Sequence, residues 1–337
     1  MKAYELKAGA KGLDDLVRVE RPEPRPGVGE IVIRVHAASL NARDQGVASG
    51  RYRGGSVTRP TIPLSDGAGE IVAVGEGVSR FKIGDRVMHT FRKGWLDGPY
   101  HPDRIGGTMG SPFDGMLTEQ ALAHEQDCVR VPEHLSYEEA ACLPCAGVTA
   151  WHALMEKKAV LAGESVLLIG TGGVSIFGLQ FAKLAGAKAI VTSSSDAKLK
   201  RAHELGADGG VNYKTTPDWD VEVVKLTGGR GVDHVVEVGG ATLPHSIGAL
   251  AVGGHIHSIG FVSGQQPTFA SPGFVSKDAT LDSIMVGNRA MFERMAAAIS
   301  LAQLKPVVDR VFPFEEARAA YEYQSSPALF GKVVIKI

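Results

Sequence analysis

Six residues, Gly170-Thr171-Gly172-Gly173-Val174-Ser175, have the types and spacing to hold a pyrophosphate. Gly170 and Gly172 allow a tight turn and a close approach of backbone to ligand. The N–H groups of a helix opening after Gly173 then point at the negative charge. Ser175 replaces the third glycine of the G-x-G-x-x-G pattern and is small enough to let a helix pack on a strand. The turn follows the apolar run Val166-Leu-Leu-Ile169, the context that distinguishes a dinucleotide site from a chance match. A second group, Ser193-Ser194-Ser195 with Lys198, lies where such sites select their dinucleotide. NAD sites place an acid there, about 20 residues downstream, for the ribose 2′-hydroxyl. Hydroxyls and an ammonium suit the 2′-phosphate of NADP instead, and Tyr213 offers a hydroxyl or an adenine contact. A structural role is compatible with this: Ser195 or Asp196 as a helix N-cap and Lys198 as a solvated helix residue.

Such residues need a sheet to carry them. From residue 136 strand-like and helix-like segments alternate: strands at 165–169, 189–192, 210–213, 232–238 and 255–259, with helices between them. That spacing predicts a parallel, doubly wound sheet of the Rossmann type, with 280–286 as a sixth strand. Val238-Gly239-Gly240, Ile259-Gly260-Phe261 and Val286-Gly287-Asn288 follow strands, at the carboxyl ends where cofactors sit. Ser136-Tyr-Glu-Glu139 reads as a capping box opening a helix. The first 90 residues are β-rich: 30–36 alternates with period two, and 69–75 and 85–89 are strands between Gly and Pro. Residues 91–116, rich in Gly, Pro and aromatics, read as a long loop; Phe91, Trp95, Tyr100 and Phe113, with Phe261 and Phe274, are either an apolar pocket wall or loop anchors. The tail carries helices at 292–302 and 314–323 and a strand at 332–337. The expected fold class is therefore α/β. A β-rich domain of two segments, 1–135 and 290–337, flanks a nucleotide-binding domain at 136–289.

Composition narrows the function. The formal net charge of −1 gives no basic excess for nucleic acid or a membrane surface. No apolar run approaches the roughly 20 residues that span a bilayer, and the N-terminus reads as a first strand, not a targeting peptide. Cys128, Cys142 and Cys145 make no disulfide framework, so a reducing cytoplasm is expected. Cys142-Leu-Pro-Cys145 has C-x-x-C spacing without a partner pair and reads as buried apolar cysteine. His255 and His257 share a strand face as packing or polar-edge residues.

Several motifs together resemble the medium-chain dehydrogenase/reductase superfamily, in its zinc-free, quinone-oxidoreductase-like branch. They are Ala38-Ser-Leu-Asn41-Ala-Arg-Asp44, Asp66-Gly-Ala-Gly-Glu70, Gly84-Asp-Arg-Val87, Leu143-Pro-Cys-Ala-Gly-Val-Thr149-Ala-Trp151, the glycine turn, Gly206-Ala-Asp208, Gly231 through Gly239, and Phe330-Gly-Lys-Val-Val334. The resemblance implies a GroES-like β-core for the two-segment catalytic domain, and a homodimer joined edge to edge through 280–286. It also implies Thr149 near the nicotinamide and Phe330-Gly331-Lys332 closing over the cofactor. Zinc-bearing members use Cys, His and usually Cys; here those positions hold Asn41, Leu64-Ser65-Asp66 and Cys145. Asn and Ser are poor zinc ligands, and the four-cysteine structural lobe is missing, so no metal is expected.

Without a Lewis acid, the chemistry suits acceptors that already delocalise negative charge: quinones, enones, enals or enoyl thioesters. Asn41 is the candidate catalytic residue, donating to a substrate carbonyl or organising a water; its alternative is a turn-stabilising Asn. Arg43 and Asp44 are expected to anchor that turn as an ion pair. Some enoyl-reductase relatives carry Tyr where this chain has Ala42, which weakens the thioester reading. The leading expectation is an NADPH-dependent, zinc-independent reductase of quinones or activated alkenes. The alternatives are a zinc-independent alcohol or carbonyl dehydrogenase, and a nucleotide-binding structural or regulatory protein with little turnover.

Overall fold

The computed structural model describes residues 1–52, 55–103, 105–260 and 271–337. Strands β1 (Lys2–Leu6) and β2 (Leu16–Glu20) form an antiparallel hairpin. The long β3 (Glu30–Leu40) leads into helix α1 (Ala42–Ala48), then β4 (Asp66–Val74), β5 (Arg86–His89), β6 (Gln120–His124) and β7 (Cys128–Arg130). Helix α2 (Tyr137–Ala140) follows, with widened π-type turns on either side of α3 (Val148–Trp151). Ser136 and Glu139 do cap α2 reciprocally, each side chain accepting from the other's backbone N–H.

The alternating region runs β8 (Ser165–Leu168), α4 (Gly173–Leu184), β9 (Lys188–Ser193), α5 (Asp196–Glu204), β10 (Gly209–Asn212), α6 (Trp219–Leu226), β11 (Val232–Glu237), α7 (Leu243–Ala249), β12 (Leu250–Ser258), α8 (Ser271–Ser276) and β13 (Thr280–Ser283). Its six strands are all parallel, in the order β10-β9-β8-β11-β12-β13. This is the doubly wound order that reverses between β8 and β11, where ligands sit at the carboxyl edge. Its core joins Leu167, Ile190, Val235 and Ile256 from the sheet to Trp219, Val223 and Ile247 from the helices. The tail adds α9 (Arg289–Ala302), β14 (Val308–Pro313), α10 (Ala317–Gln324) and β15 (Lys332–Lys336).

β14-β15-β3-β4-β5-β7, with β6 also on β3, make the second large sheet, so the tail strand pairs with the opening β-region as expected. β3 packs its buried side chains against α10 residues Ala317, Ala320 and Tyr321. Among the described residues no helix is long and apolar enough to cross a membrane.

The chain divides into two compact units, 1–148 with 287–337, and 149–286. Those limits differ from the expected 135/136 and 289/290. The capping box marks where a helix begins but not which core it joins. Ser39 Oγ donates to Ala141 O at 2.8 Å and Cys145 N to Asp66 Oδ2 at 3.1 Å, which ties residues 137–148 to the first unit. β13 stops at Ser283, short of the expected 286, and Val286 takes a φ of 50°. β14 escapes a period-two reading because only Phe312 among its residues is buried.

Candidate active site

The glycine turn is built almost entirely of backbone. Gly170 has a φ of +78°, a conformation that favours glycine. Its N–H donates to Thr192 Oγ1 at 3.1 Å, tying the turn to the neighbouring strand. Gly172 is the N-cap of α4 without a side-chain cap, and Ile176 N–H makes the first intrahelical bond, to Gly172 O. The N–H groups of Gly173, Val174 and Ser175 are thus the open donors of a twelve-residue helix. A Cβ added at Gly170 or Gly172 would meet no atom within 4 Å, so space for a phosphate adjoins those donors. Ser175 buries its hydroxyl on Ile169 O at 2.7 Å, which explains why a serine serves in the third glycine's place. Thr171 is buried beside the turn.

The other nucleotide candidates of this unit lie along the same sheet edge. Val238, Gly239 and Gly240 follow β11, where Glu237 accepts from Gly239 N, Gly240 N and Thr242 Oγ1 at 2.8, 3.0 and 2.6 Å and also holds Ser246. Sequence reading missed this buried carboxylate, although a Glu ending an apolar strand is a signal for it. Ile259 and Gly260 follow β12, with Ile259 N bonded to Glu237 O; Phe261 lies outside the described residues. At the ends of β9 and β10, Ser193 Oγ accepts from Ser195 N at 3.3 Å and Tyr213 N donates to Ser193 O at 3.0 Å. Ser195 stands at the N-cap of α5 without spending its hydroxyl on the helix, and Ser194 and Lys198 are half-buried. Asp196 accepts from Asn212 Nδ2 at 2.8 Å and belongs to the first turn of α5, beyond the strand end. These groups fit a nicotinamide dinucleotide: open helix donors for the pyrophosphate and hydroxyls with an ammonium further along the edge. Thr149 is buried in α3, and Val286 ends this unit.

Gly287, Asn288, Phe330, Gly331 and Lys332 belong to the first unit. Asn288 caps α9, accepting from Met291 N at 2.8 Å and donating to Gly98 O at 3.2 Å. Phe330 is buried, its N–H on Asp309 Oδ2, and Gly331 has a φ of +80°. Lys332 is only 2% exposed. Its Nζ donates to Leu40 O and to Asn41 Oδ1, both at 2.6 Å, and lies 3.9 Å from Asp66 Oδ2.

That ammonium centres a cluster of buried polar groups. Asn41 caps α1, and its N–H donates to Asp44 Oδ2 at 2.8 Å. Asp66 is fully buried, accepting from Ser65 Oγ at 2.7 Å and from Cys145 N. Burial raises the Asp66 pKa, and Lys332, then the Ser65 hydroxyl, the nearby Asn41 amide and the Cys145 N–H, oppose the rise. Burial likewise pushes Asp44 up to about 6 against the opposing pull of Arg43. The expected Arg43–Asp44 pair is loose, at 3.9 Å. Arg43 instead pins the long loop, donating to Met109 O at 2.8 Å and Thr108 Oγ1 at 3.0 Å between the rings of Tyr52 and Phe91. The same loop holds Leu64 at a φ of +68°, unusual for a branched residue. Met116 N bonds Leu64 O, and a Cβ on Gly115 would come within 2.1 Å of that oxygen. The loop thereby fixes Ser65 and Asp66. Its Trp95 and Tyr100 pack edge to face, Phe113 lies under Lys93, and Phe274 joins the other unit's core.

Zinc does not fit this cluster. Asn41 Oδ1 and Asp66 face an ammonium, and Ser65 and the Cys145 N–H already bond the carboxylate. Burial drives the Cys145 thiol pKa upward. Among the described residues no three His, Cys, Asp or Glu side chains converge as metal donors.

Residues 27–133 match the family described as the alcohol dehydrogenase GroES-like domain, and 173–301 the one described as zinc-binding dehydrogenase. The chain is 45% identical to a zinc-type alcohol dehydrogenase-like protein of Schizosaccharomyces pombe, over 99% of each chain. It is 28% identical to the quinone oxidoreductase of Homo sapiens, over 89% of this chain and 86% of that one. A solved structure of an NAD-dependent alcohol dehydrogenase superposes over all of both chains with a TM-score of 0.90 at 32% identity. With both domains matched and a relative aligned end to end, the chain belongs to the medium-chain dehydrogenase/reductase superfamily of oxidoreductases.

Proposed function

We propose that this chain is an NADPH-dependent, zinc-independent reductase that transfers hydride to a quinone or to an activated alkene such as an enone or enal. One observation carries the reading: Asn41 Nδ2 is a buried amide donor with no hydrogen-bond acceptor among the described residues, at the position where the family resemblance implies a metal ligand in zinc-bearing members. It lies near enough to Asp66 to favour that carboxylate's charged form, yet does not meet it with hydrogen-bond geometry. A donor held ready in this way suits the oxygen of an acceptor that gains negative charge.

When bound, NADPH supplies the hydride. Gly170 to Val174 and the open α4 donors hold its pyrophosphate, with Val238 to Gly240, Ile259 and Gly260 along the same edge. Ser193 to Ser195, Lys198 and Tyr213 receive the 2′-phosphate and adenosine end. Thr149, the Val286 to Asn288 segment, Phe330 and Gly331 would complete the binding set, while the Lys332 ammonium is spent on Leu40 O and Asn41 Oδ1. Asn41 donates to the acceptor's carbonyl oxygen as the enolate or hydroquinone anion develops, and water supplies the final proton. The free cysteines and the exposed edge strand β13 support a reducing compartment and a homodimer.

The names of alcohol dehydrogenase relatives favour a second reading, oxidation of alcohols on the same fold. A panel of quinones, enones, aldehydes and secondary alcohols with NADPH, NADH and their oxidised forms separates the two. Turnover of enones or quinones, with kcat lowered about 10- to 100-fold in Asn41→Ala, is expected. Turnover of alcohols alone, or an unchanged kcat in Asn41→Ala, overturns the proposal.

A further inference from the structure

We propose that Lys332 is a positioning residue, whose buried ammonium fixes which way the Asn41 amide faces. This rests on the reading of Asn41 as the carbonyl donor. An amide group has two nearly isosteric ends, one accepting and one donating. An ammonium has no acceptor, so the end of Asn41 facing Lys332 Nζ at 2.6 Å must be the oxygen. Nδ2 is thereby turned away from Lys332 and stays unpartnered. The ammonium is itself held: a second proton goes to Leu40 O at 2.6 Å, and Asp66 lies 3.9 Å away. Asp66 in turn is anchored by Ser65 and by the Cys145 N–H. Two chain segments, at Leu40 and at Asp66, thus hold one cation, and that cation holds the amide. With a neutral, apolar side chain at 332, the amide loses the charged donor that holds its oxygen, and its two orientations are less sharply separated. One of them would present an oxygen to the acceptor's oxygen and repel it.

The test uses the full chain, as wild type and as Lys332→Met, Lys332→Arg, Asn41→Ala and the Lys332→Met/Asn41→Ala pair. The Asn41 side-chain amide is followed by NMR in protein labelled with ¹⁵N-asparagine and assigned by its loss in Asn41→Ala. Kinetics are read with NADPH and a simple cyclic enone. In Lys332→Met the amide resonances shift or broaden, kcat falls about tenfold, and the KM for NADPH moves less than about twofold. Lys332→Arg regains much of kcat, and the pair is no slower than its slower single variant. Unmoved amide resonances in Lys332→Met overturn the proposal, as does a raised KM for NADPH at constant kcat, which would make Lys332 a cofactor contact. If Lys332→Met does not fold, the displaced donor of Lys332→Arg must shift the same resonances, and their constancy overturns the proposal. An Asn41→Ala variant with normal kcat removes the donor reading alone; the amide resonances still decide the part played by Lys332.

Discussion

The glycine turn and the Asn41 cluster solve opposite problems. The turn must bind a large anion, and it does so by removing side chains: Gly170 and Gly172 open space beside bare helix N–H groups. The cluster must present one amide, and it does so by crowding: Asn41, Asp44, Ser65, Asp66 and Lys332 are all buried and mostly bonded to one another. Binding through backbone tolerates variation in side chains but not in volume. Orientation through buried charge tolerates little change in charge, because an ion left without its partner there costs about 3–5 kcal/mol.

The largest effect should come from filling the turn. Gly172 has a φ of −78°, open to any residue, so Gly172→Glu should fold normally while placing a carboxylate on the phosphate path. NADPH affinity, read by fluorescence titration, should fall at least about a hundredfold, roughly 3 kcal/mol, with an unchanged melting temperature. Retained affinity would remove the turn from the binding site.

The charge half of the comparison is sharpened by Asp44. Its pKa is pushed from 3.8 to about 6, so between those values the folded chain holds a proton that the unfolded chain releases. Stability from this group is therefore lost as pH rises through that window, by up to about 3 kcal/mol. Asp44→Asn keeps an oxygen for the Asn41 N–H and should gain about 1–2 kcal/mol over wild type at pH 7, with little difference at pH 4. Denaturant unfolding at the two pH values checks this; equal differences at both would contradict it. The histidine stack gives the contrasting sign. His257 sits against His234 at 3.1 Å, and burial holds its pKa down to about 3. It stays neutral at neutral pH and loses stability only as pH falls below 6.5. A smaller effect is expected at Lys198, where Lys198→Ala should raise the KM for NADPH about tenfold and leave that for NADH nearly unchanged. Equal changes for both would remove the 2′-phosphate contact.

Legibility in the sequence follows the same division. The glycine turn, the strand before it and the helix after it lie within about 20 residues, and the doubly wound order follows from their repetition. The Asn41 cluster joins residues up to 291 positions apart, so neither spacing nor periodicity reveals the Lys332 contact. Lys332 reads from sequence as the first residue of the tail strand, in a segment that the resemblance has closing over the cofactor; its burial emerges only when β15 pairs with β3. Asp66 begins an apolar strand and carries no local sign of being an anchor. The unit boundary at 148/149 was hidden for a similar reason, since the bonds of Ala141 and Cys145 run to Ser39 and Asp66.

The most direct measurement is the rate of NADPH oxidation with an enone by protein stripped of metal with a strong chelator, before and after zinc is added back. A metal-free rate equal to that of the untreated protein, unaffected by zinc and diminished in Asn41→Ala, is expected. Activity that disappears on chelation and returns with stoichiometric zinc would contradict it.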